Sequence, residues 1–108
     1  MGFQIGGAIL DFVVLSVLKN KDEYGYVLTQ EVREILDVSE TAMYPALKRL
    51  QKSNLLITYD LSHQGRNRRY YKLTEEGKKA LEVYISEWNS FKKDIDNLLD
   101  KEGEKNDE

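Results

Sequence analysis

The sequence predicts a mainly α-helical domain carrying a two-stranded β hairpin and ending in a long helix. Three observations predict it. Apolar residues recur at helical spacing in three segments before residue 53. Two β-rich runs, Leu55 to Asp60 and Arg68 to Leu73, flank a polar stretch containing Gly65. From Leu81 onward, apolar residues repeat every seven positions.

The first helix is expected over about Gly7 to Lys19, apolar on nearly every side, with the Lys19-Asn20-Lys21-Asp22 stretch as its stop and turn. A helix apolar all round must be covered on more than one side. In a chain of 108 residues, part of that cover can come from a second subunit or from closing the chain's own core. Its apolar run, Ala8 to Leu18, has 11 residues and contains Asp11. That is too short to span a bilayer, and it lacks the basic region that precedes a signal peptide's apolar stretch. The expectation is a buried helix in a cytoplasmic protein with no membrane association.

Tyr24 to Leu36 forms a second, amphipathic helix, its stripe made by Val27, Leu28, Val32, Ile35 and Leu36. Asp37, Ser39 and Thr41 are cap-forming residues, and the third helix follows to Lys52 with Met43, Ala46, Leu47 and Leu50 on one face. Pro45 is expected near its start, because only first-turn amides lack intrahelical partners. Ser53-Asn54 stops this helix. In the hairpin, Leu61 to Asn67 reads as a flexible loop, and alternation puts Tyr71 and Leu73 toward the core. Thr74 is the N-cap of the last helix, with Glu75 and Glu76 in the first turn where the helix dipole favours carboxylates. Leu81, Trp88 and Ile95, with Tyr84, Phe91 and Leu98 in the matching offset, make the strongest periodic signal in the chain. Lys101 to Glu108 lacks apolar residues and is expected to be disordered. The resulting division is a head over residues 1–74, a helix over 75–100 and a tail over 101–108.

Charge is segregated along the chain. Residues 1–40 hold 3 Lys/Arg against 7 Asp/Glu, residues 41–80 hold 9 against 3, and residues 81–108 hold 4 against 9, within a net charge of -3. A basic middle between acidic flanks fits a polyanion partner. The outer face of the third helix carries Thr41, Tyr44, Pro45, Lys48, Arg49 and Lys52, and the hairpin carries Arg66, Arg68 and Arg69. Two helices joined by a short turn, the second basic outside, form the layout of a helix-turn-helix, and the hairpin adds a wing. No cysteine and a single histidine, His63, exclude a disulfide framework, a thiolate nucleophile and a Cys/His zinc site. No nucleophile is partnered and no glycine-rich phosphate loop is present, which speaks against an enzyme.

At this point the chain resembles the PadR family of bacterial transcriptional regulators, in its short form with one C-terminal helix. The likeness spans about Ile9 to Leu99. It rests on Tyr24-Gly25-Tyr26, on Met43-Tyr44-Pro45-Ala46-Leu47-Lys48-Arg49-Leu50, on the wing from Gly65 through Arg66-Asn67-Arg68-Arg69-Tyr70-Tyr71-Lys72-Leu73 to Thr74-Glu75-Glu76-Gly77, and on Trp88. Many relatives have leucine or isoleucine in place of Met43 and proline in place of Asn67; the latter departure softens the wing tip.

The resemblance implies a homodimeric repressor on double-stranded DNA with an inverted-repeat operator, needing no cofactor or metal. Ser39, Thr41, Tyr44, Lys48, Arg49, Lys52, Arg66, Asn67, Arg68 and Arg69 are the candidate DNA-binding residues, Ser39 as helix cap and Arg49 and Lys52 toward phosphate. The alternative for the wing is pairing of its arginines with the acidic flanks. The alternative for the whole is a winged helix that binds an acidic protein rather than DNA. Ile9, Phe12, Val13, Leu81, Tyr84, Trp88, Phe91, Ile95 and Leu98 are the candidate dimer residues. In a lactococcal multidrug-responsive member, a tryptophan at the place of Trp88 lines a pore between subunits that admits flat aromatic compounds. Trp88, Phe12, Leu15 and Asp11 are therefore the candidate effector residues, against simple packing for Trp88 and solvent exposure for Asp11, Asp94 and Asp96.

Overall fold

The computed structural model describes the backbone of residues 7–105 and the side chains of residues 8–101. Helix α1 spans Gly7–Val17. Val14, Leu15 and Leu18 are buried, while Ile9, Leu10, Phe12 and Val13 are half-buried. The helix unwinds through Leu18 and Lys19, whose amides still donate to Val14 and Ser16 carbonyls at 3.4 and 3.1 Å. A turn leads to β1, Glu23–Tyr24, and directly into α2, Gly25–Ile35. Strand β1 is absent from the sequence expectation because two residues carry no alternation. Helix α2 buries Leu28 and Val32, but Val27 and Ile35, expected on the same stripe, are 37 and 66 % exposed.

Helix α3 spans Glu40–Lys52 and buries Met43, Ala46, Leu47 and Leu50, as their spacing predicts. Ser39 caps it, its side chain accepting from the Ala42 amide at 3.1 Å. Arg33 spans the intervening turn, donating to the Val38 carbonyl at 3.0 Å and pairing with Glu40 at 3.4 Å. Pro45 stands inside the helix rather than in its first turn. A proline there forgoes the bond to the carbonyl four residues back, that of Thr41. Both residues lie on the exposed face, where water can serve that carbonyl.

The end of α3 is a Schellman motif. Asn54 adopts a left-handed φ of 64°, its amide donates to the Gln51 carbonyl at 2.9 Å, and the Leu55 amide donates to Leu50 at 2.9 Å. The chain then enters β2, Leu56–His63, and returns as β3, Arg66–Leu73. The two strands pair without interruption from Leu56↔Leu73 to His63↔Arg66. The hairpin therefore closes through Gln64 and Gly65 alone, with φ of 52° and 77°. Two successive positive φ values match the right-handed twist of the strands, so pairing runs to the tip. A stiff wing replaces the flexible loop expected over Leu61 to Asn67. Strand β1 pairs with the other edge of β3 at Glu23↔Tyr71 and Tyr24↔Tyr70, giving a three-stranded antiparallel sheet in the order β1-β3-β2.

Helix α4 spans Glu75–Lys105, which at 1.5 Å per residue is about 46 Å long. Its backbone stays helical through residues 101–105, where composition pointed to a disordered tail; residues 106–108 lie outside the described residues. The molecule measures 70 × 26 × 22 Å with a radius of gyration of 17.5 Å, against about 13 Å for a compact chain near 100 residues. Helix α4 accounts for the elongation by projecting from the head as a stalk.

The head and stalk meet at one tight junction. The Thr74 hydroxyl donates to the Asn54 carbonyl at 2.7 Å and accepts from the Gly77 amide at 2.8 Å, while the Thr74 amide donates to the Leu55 carbonyl at 3.1 Å. A Cβ on Gly77 would lie 2.1 Å from the Leu55 oxygen, so only glycine lets α4 start there. Gly77→Ala is expected to destabilise the fold by about 3 kcal/mol through forced separation of α4 from the α3 terminus. Urea denaturation followed by circular dichroism measures this, and a destabilisation below about 1 kcal/mol would contradict the close approach.

Candidate nucleic-acid interface

The core of the head is built from the inner faces of all four helices and the sheet, with Leu15, Leu28, Val32, Met43, Leu56 and Tyr71 among its buried members. That packing turns the opposite face of α3 outward. Thr41, Tyr44, Lys48 and Lys52 are all exposed on it. Tyr44 is 62 % exposed, and the Lys48 ammonium lies 5.4 Å from its ring centroid, a cation–π pair one helical turn apart. Ser39 is committed to capping, as expected. Arg49 is held differently from its neighbours: its guanidinium is ion-paired to Asp11 of α1.

The wing arginines also fall into distinct environments. Arg66 is exposed beside the tip and makes no ion pair among the described residues. Asn67 is exposed opposite Ser62. Arg68 is half-buried, its guanidinium carbon 4.6 Å from the centroid of the Tyr24 ring. Arg69 pairs across the strands with Asp60 at 3.5 Å, both side chains remaining largely exposed. Arg69 thus pairs with a carboxylate of the wing itself, and none of the wing arginines makes an ion pair with the acidic flanks among the described residues.

An aromatic ladder stiffens the base of the wing. Tyr59 and Tyr70 stack at 5.6 Å with their planes 10° apart, Tyr70 contacts Tyr24 at 5.9 Å, and Tyr24 contacts Tyr26 at 6.4 Å. Cross-strand aromatic pairs of this kind are the units that fix a sheet. The Tyr59 hydroxyl donates to Asp22 at 2.6 Å, and that hydrogen bond is the main cause pushing its pKa up to about 12. On the head side, Gly25 lets the Tyr71 ring lie against the start of α2: a Cβ there would sit 3.1 Å from the ring.

Sequence reasoning missed part of this surface. A cleft of about 290 Å³ runs between the start of α2 and α3, floored by Met43, Leu47 and Tyr71 and edged by Tyr26, Thr29 and Tyr44. Tyr26 is 60 % exposed, beside the α3 face. The Tyr24-Gly25-Tyr26 motif was the available signal, but helical periodicity does not say on which side of the head a helix start emerges.

On the other side of α1, Phe12 stacks on Tyr84 at 5.7 Å and approaches Trp88 at 6.4 Å, which in turn contacts Phe91 at 6.3 Å. Two residues expected at the seam or effector site lie in the core of the head. Leu15 is 0 % and Leu81 3 % exposed, both within this chain's own core, because the all-apolar α1 and the first turns of α4 close on the head. Asp11 is not solvent-facing: its side chain is 15 % exposed. Burial raises its pKa, with Arg49 pulling in the opposite direction. Burial also raises that of Tyr84, reinforced by the Asp11 and Glu87 carboxylates and opposed by Arg49. Beyond the head, Ile95, Leu98 and Leu99 of α4 form an apolar stripe 38 to 63 % exposed, while Asp94 and Asp96 face solvent as expected.

An outward basic helix, set by a short turn against its partner helix and flanked by a stiff arginine-bearing wing, defines a winged helix-turn-helix regulator. The model of the transcriptional regulator PadR-like family matches residues 14–83. The chain is 35 % identical to smu.1704 of Streptococcus mutans UA159, whose crystal structure superposes with a TM-score of 0.83 over 93 % of this chain and 94 % of that one. A PadR family transcription regulator from Clostridium difficile R20291 is 40 % identical, with a TM-score of 0.76 over 83 % of this chain and 97 % of that one. A PadR-like transcriptional regulator from Bacillus cereus is 30 % identical, with a TM-score of 0.77 over 84 % and 91 %. An uncharacterised protein of Lysinibacillus sphaericus is 32 % identical over 97 residues, covering 84 % of this chain and 88 % of that protein.

The chain belongs to the PadR-like family of transcriptional regulators. It is accordingly a DNA-binding regulator and not an enzyme. Among the described residues, no helix is long and apolar enough to cross a membrane.

Proposed function

We propose that this protein is a cytoplasmic homodimeric repressor that reads an inverted-repeat operator. The observation that carries the reading is the division of the molecule into two unlike exposed surfaces. The head offers Thr41, Tyr44, Lys48 and Lys52 on one helix with Arg66 on the wing, and the stalk offers an uncovered apolar stripe. A helix of this kind suits the major groove, which displays a distinct donor and acceptor pattern for each base pair. In a twofold dimer the two α3 helices would enter successive major grooves, with half-sites about 34 Å apart or a multiple of it. Arg66 suits a narrow minor groove or its flanking phosphates. The apolar side chains of α4 past Phe91 would be covered by the partner's stalk, aided by Ile9, Phe12 and Val13 of α1.

Two measurements test the two halves of this reading. Arg66→Ala is expected to weaken duplex binding across sequences and to lower the slope of log K against log salt by about 0.9 for each phosphate that is no longer neutralised. Unchanged affinity and slope over a salt series would sink the wing's role on DNA. Light scattering at micromolar concentration should give twice the 12.6 kDa chain mass, whereas a monomeric mass would assign the α4 stripe to solvent.

The effector reading narrows to Phe12 and Trp88, since Leu15 is in the core and Asp11 is engaged by Arg49. We propose that flat aromatic compounds, multidrug-like or phenolic, insert between subunits beside these rings and favour a dimer geometry unsuited to the operator. Trp88 is the sole tryptophan, so saturable quenching of its fluorescence by a flat cationic dye or a phenolic acid is the expected outcome. A strictly linear, unsaturated response to both classes would exclude the site.

A further inference from the structure

Arg49 stands on the recognition helix between Lys48 and Lys52, yet its surroundings differ from theirs. Its guanidinium Nη2 donates to Oδ1 of Asp11, thirty-eight residues away on α1. Half of the Arg49 side chain is exposed, but the Asp11 side chain is only 15 % exposed. Tyr84 of α4 lies close enough for its ionisation to feel Asp11, Glu87 and Arg49 together, which places the pair where α1, α3 and α4 meet.

From this geometry we infer that Asp11 withholds Arg49 from the DNA backbone and so limits the sequence-independent part of DNA binding. The reason is an asymmetry of cost. A phosphate that took Arg49 would leave the Asp11 carboxylate, only 15 % exposed, without its counter-charge, and stranding a largely covered charge is unfavourable. Lys48, Lys52 and Arg66 have no such tie among the described residues and release counterions in full when they meet phosphate. Sequence-independent binding is the electrostatic part of DNA recognition, while base discrimination comes from groove contacts. Neutralising one cation on each reading helix lowers the first without touching Thr41, Tyr44 or Lys48. Base contacts therefore carry a larger share of the binding that remains. Asp11 is thus a positioning residue: it acts on DNA only through Arg49. The inference rests on the DNA-binding assignment and adds to it a residue outside the DNA-facing surface.

The experiment measures binding of the full chain to a fluorescently labelled random-sequence duplex over a series of salt concentrations. Asp11→Asn is expected to tighten binding several-fold at low salt and to steepen the log K against log salt slope by about 0.9 for each head, one freed charge apiece. Arg49→Gln alone should leave the wild-type slope unchanged, and adding Arg49→Gln to Asp11→Asn should restore it. Asp11→Glu, which keeps the charge, should behave as wild type. A wild-type slope in a folded Asp11→Asn protein overturns the inference. So does a slope lowered by about 0.9 in Arg49→Gln alone, since Arg49 would then be contacting phosphate despite Asp11. If Asp11→Asn fails to fold by circular dichroism, the Arg49→Gln slope decides by itself. Absence of any wild-type binding at low salt would remove the DNA-binding assignment and the inference with it, a result distinct from an unaltered slope.

Discussion

The close approach of Gly77 to the Leu55 carbonyl is the constraint on which the rest of the arrangement depends. Helix α3 ends in a left-handed Asn54, and the carbonyls of Asn54 and Leu55 accept from the hydroxyl and the amide of Thr74. Thr74 in turn caps α4, with Gly77 small enough to let the helix begin against that backbone. The C-terminus of α3 and the N-terminus of α4 are therefore joined by hydrogen bonds to the main chain, which have far less freedom than contacts between long side chains. Strand β3 feeds directly into the same junction, so the wing takes its bearing from it as well. In a dimer made through α4, the orientation of each reading head would be set here.

A second tie, between Asp11 and Arg49, closes the opposite side of α3 against α1. The two ties differ in chemistry. The first is made of neutral groups hydrogen-bonded to the main chain. The second is a charged pair with one member half in solvent, and its arginine is chemically able to engage another anion. Their combination fixes α3 firmly at its end and electrostatically along its flank. It also reconciles a basic helix with an acidic chain: the acidic residues lie mainly in residues 1–40 and 81–108, outside the basic middle, and one of them meets a cation of α3 directly.

Legibility followed the physical range of each signal. The buried faces of α3 and β3 follow from spacing alone, because Met43, Ala46, Leu47 and Leu50, and then Tyr71 and Leu73, obey the periods 3.6 and 2. Thr74 and Ser39 were recognisable as caps because capping is a local hydrogen bond. Local rules failed where a distant segment decided the outcome. Pro45 sits within the helix because the helix start is fixed by the Ser39 cap and the burial of the Met43 side chain, which outweigh one missing backbone bond. The hairpin extends to Gln64-Gly65 because cross-strand pairing draws in polar residues that look loop-like in isolation. Strand β1 exists only because Tyr70 and Tyr71 offer it an edge. Among site residues, exposure of Thr41, Tyr44, Lys48, Lys52 and Arg66 was readable, whereas the engagement of Arg49, Arg68 and Arg69 was not.

By itself, then, the sequence determined the order of elements, the apolar faces that pack, the caps that bound the last two helices and the concentration of positive charge between residues 41 and 80. Each of these is set by neighbours within a turn or two of helix or strand. Tertiary structure alone decided which cations remain available to a polyanion. Asp11 reaches Arg49 from another helix, Tyr24 receives Arg68 from another strand, and Asp60 meets Arg69 across the wing. It alone placed Leu15 and Leu81 in the core and left Leu98 and Leu99 uncovered, since burial is a property of what the chain brings alongside a residue. Charge can be counted along a sequence, but its neutralisation depends on distances through space.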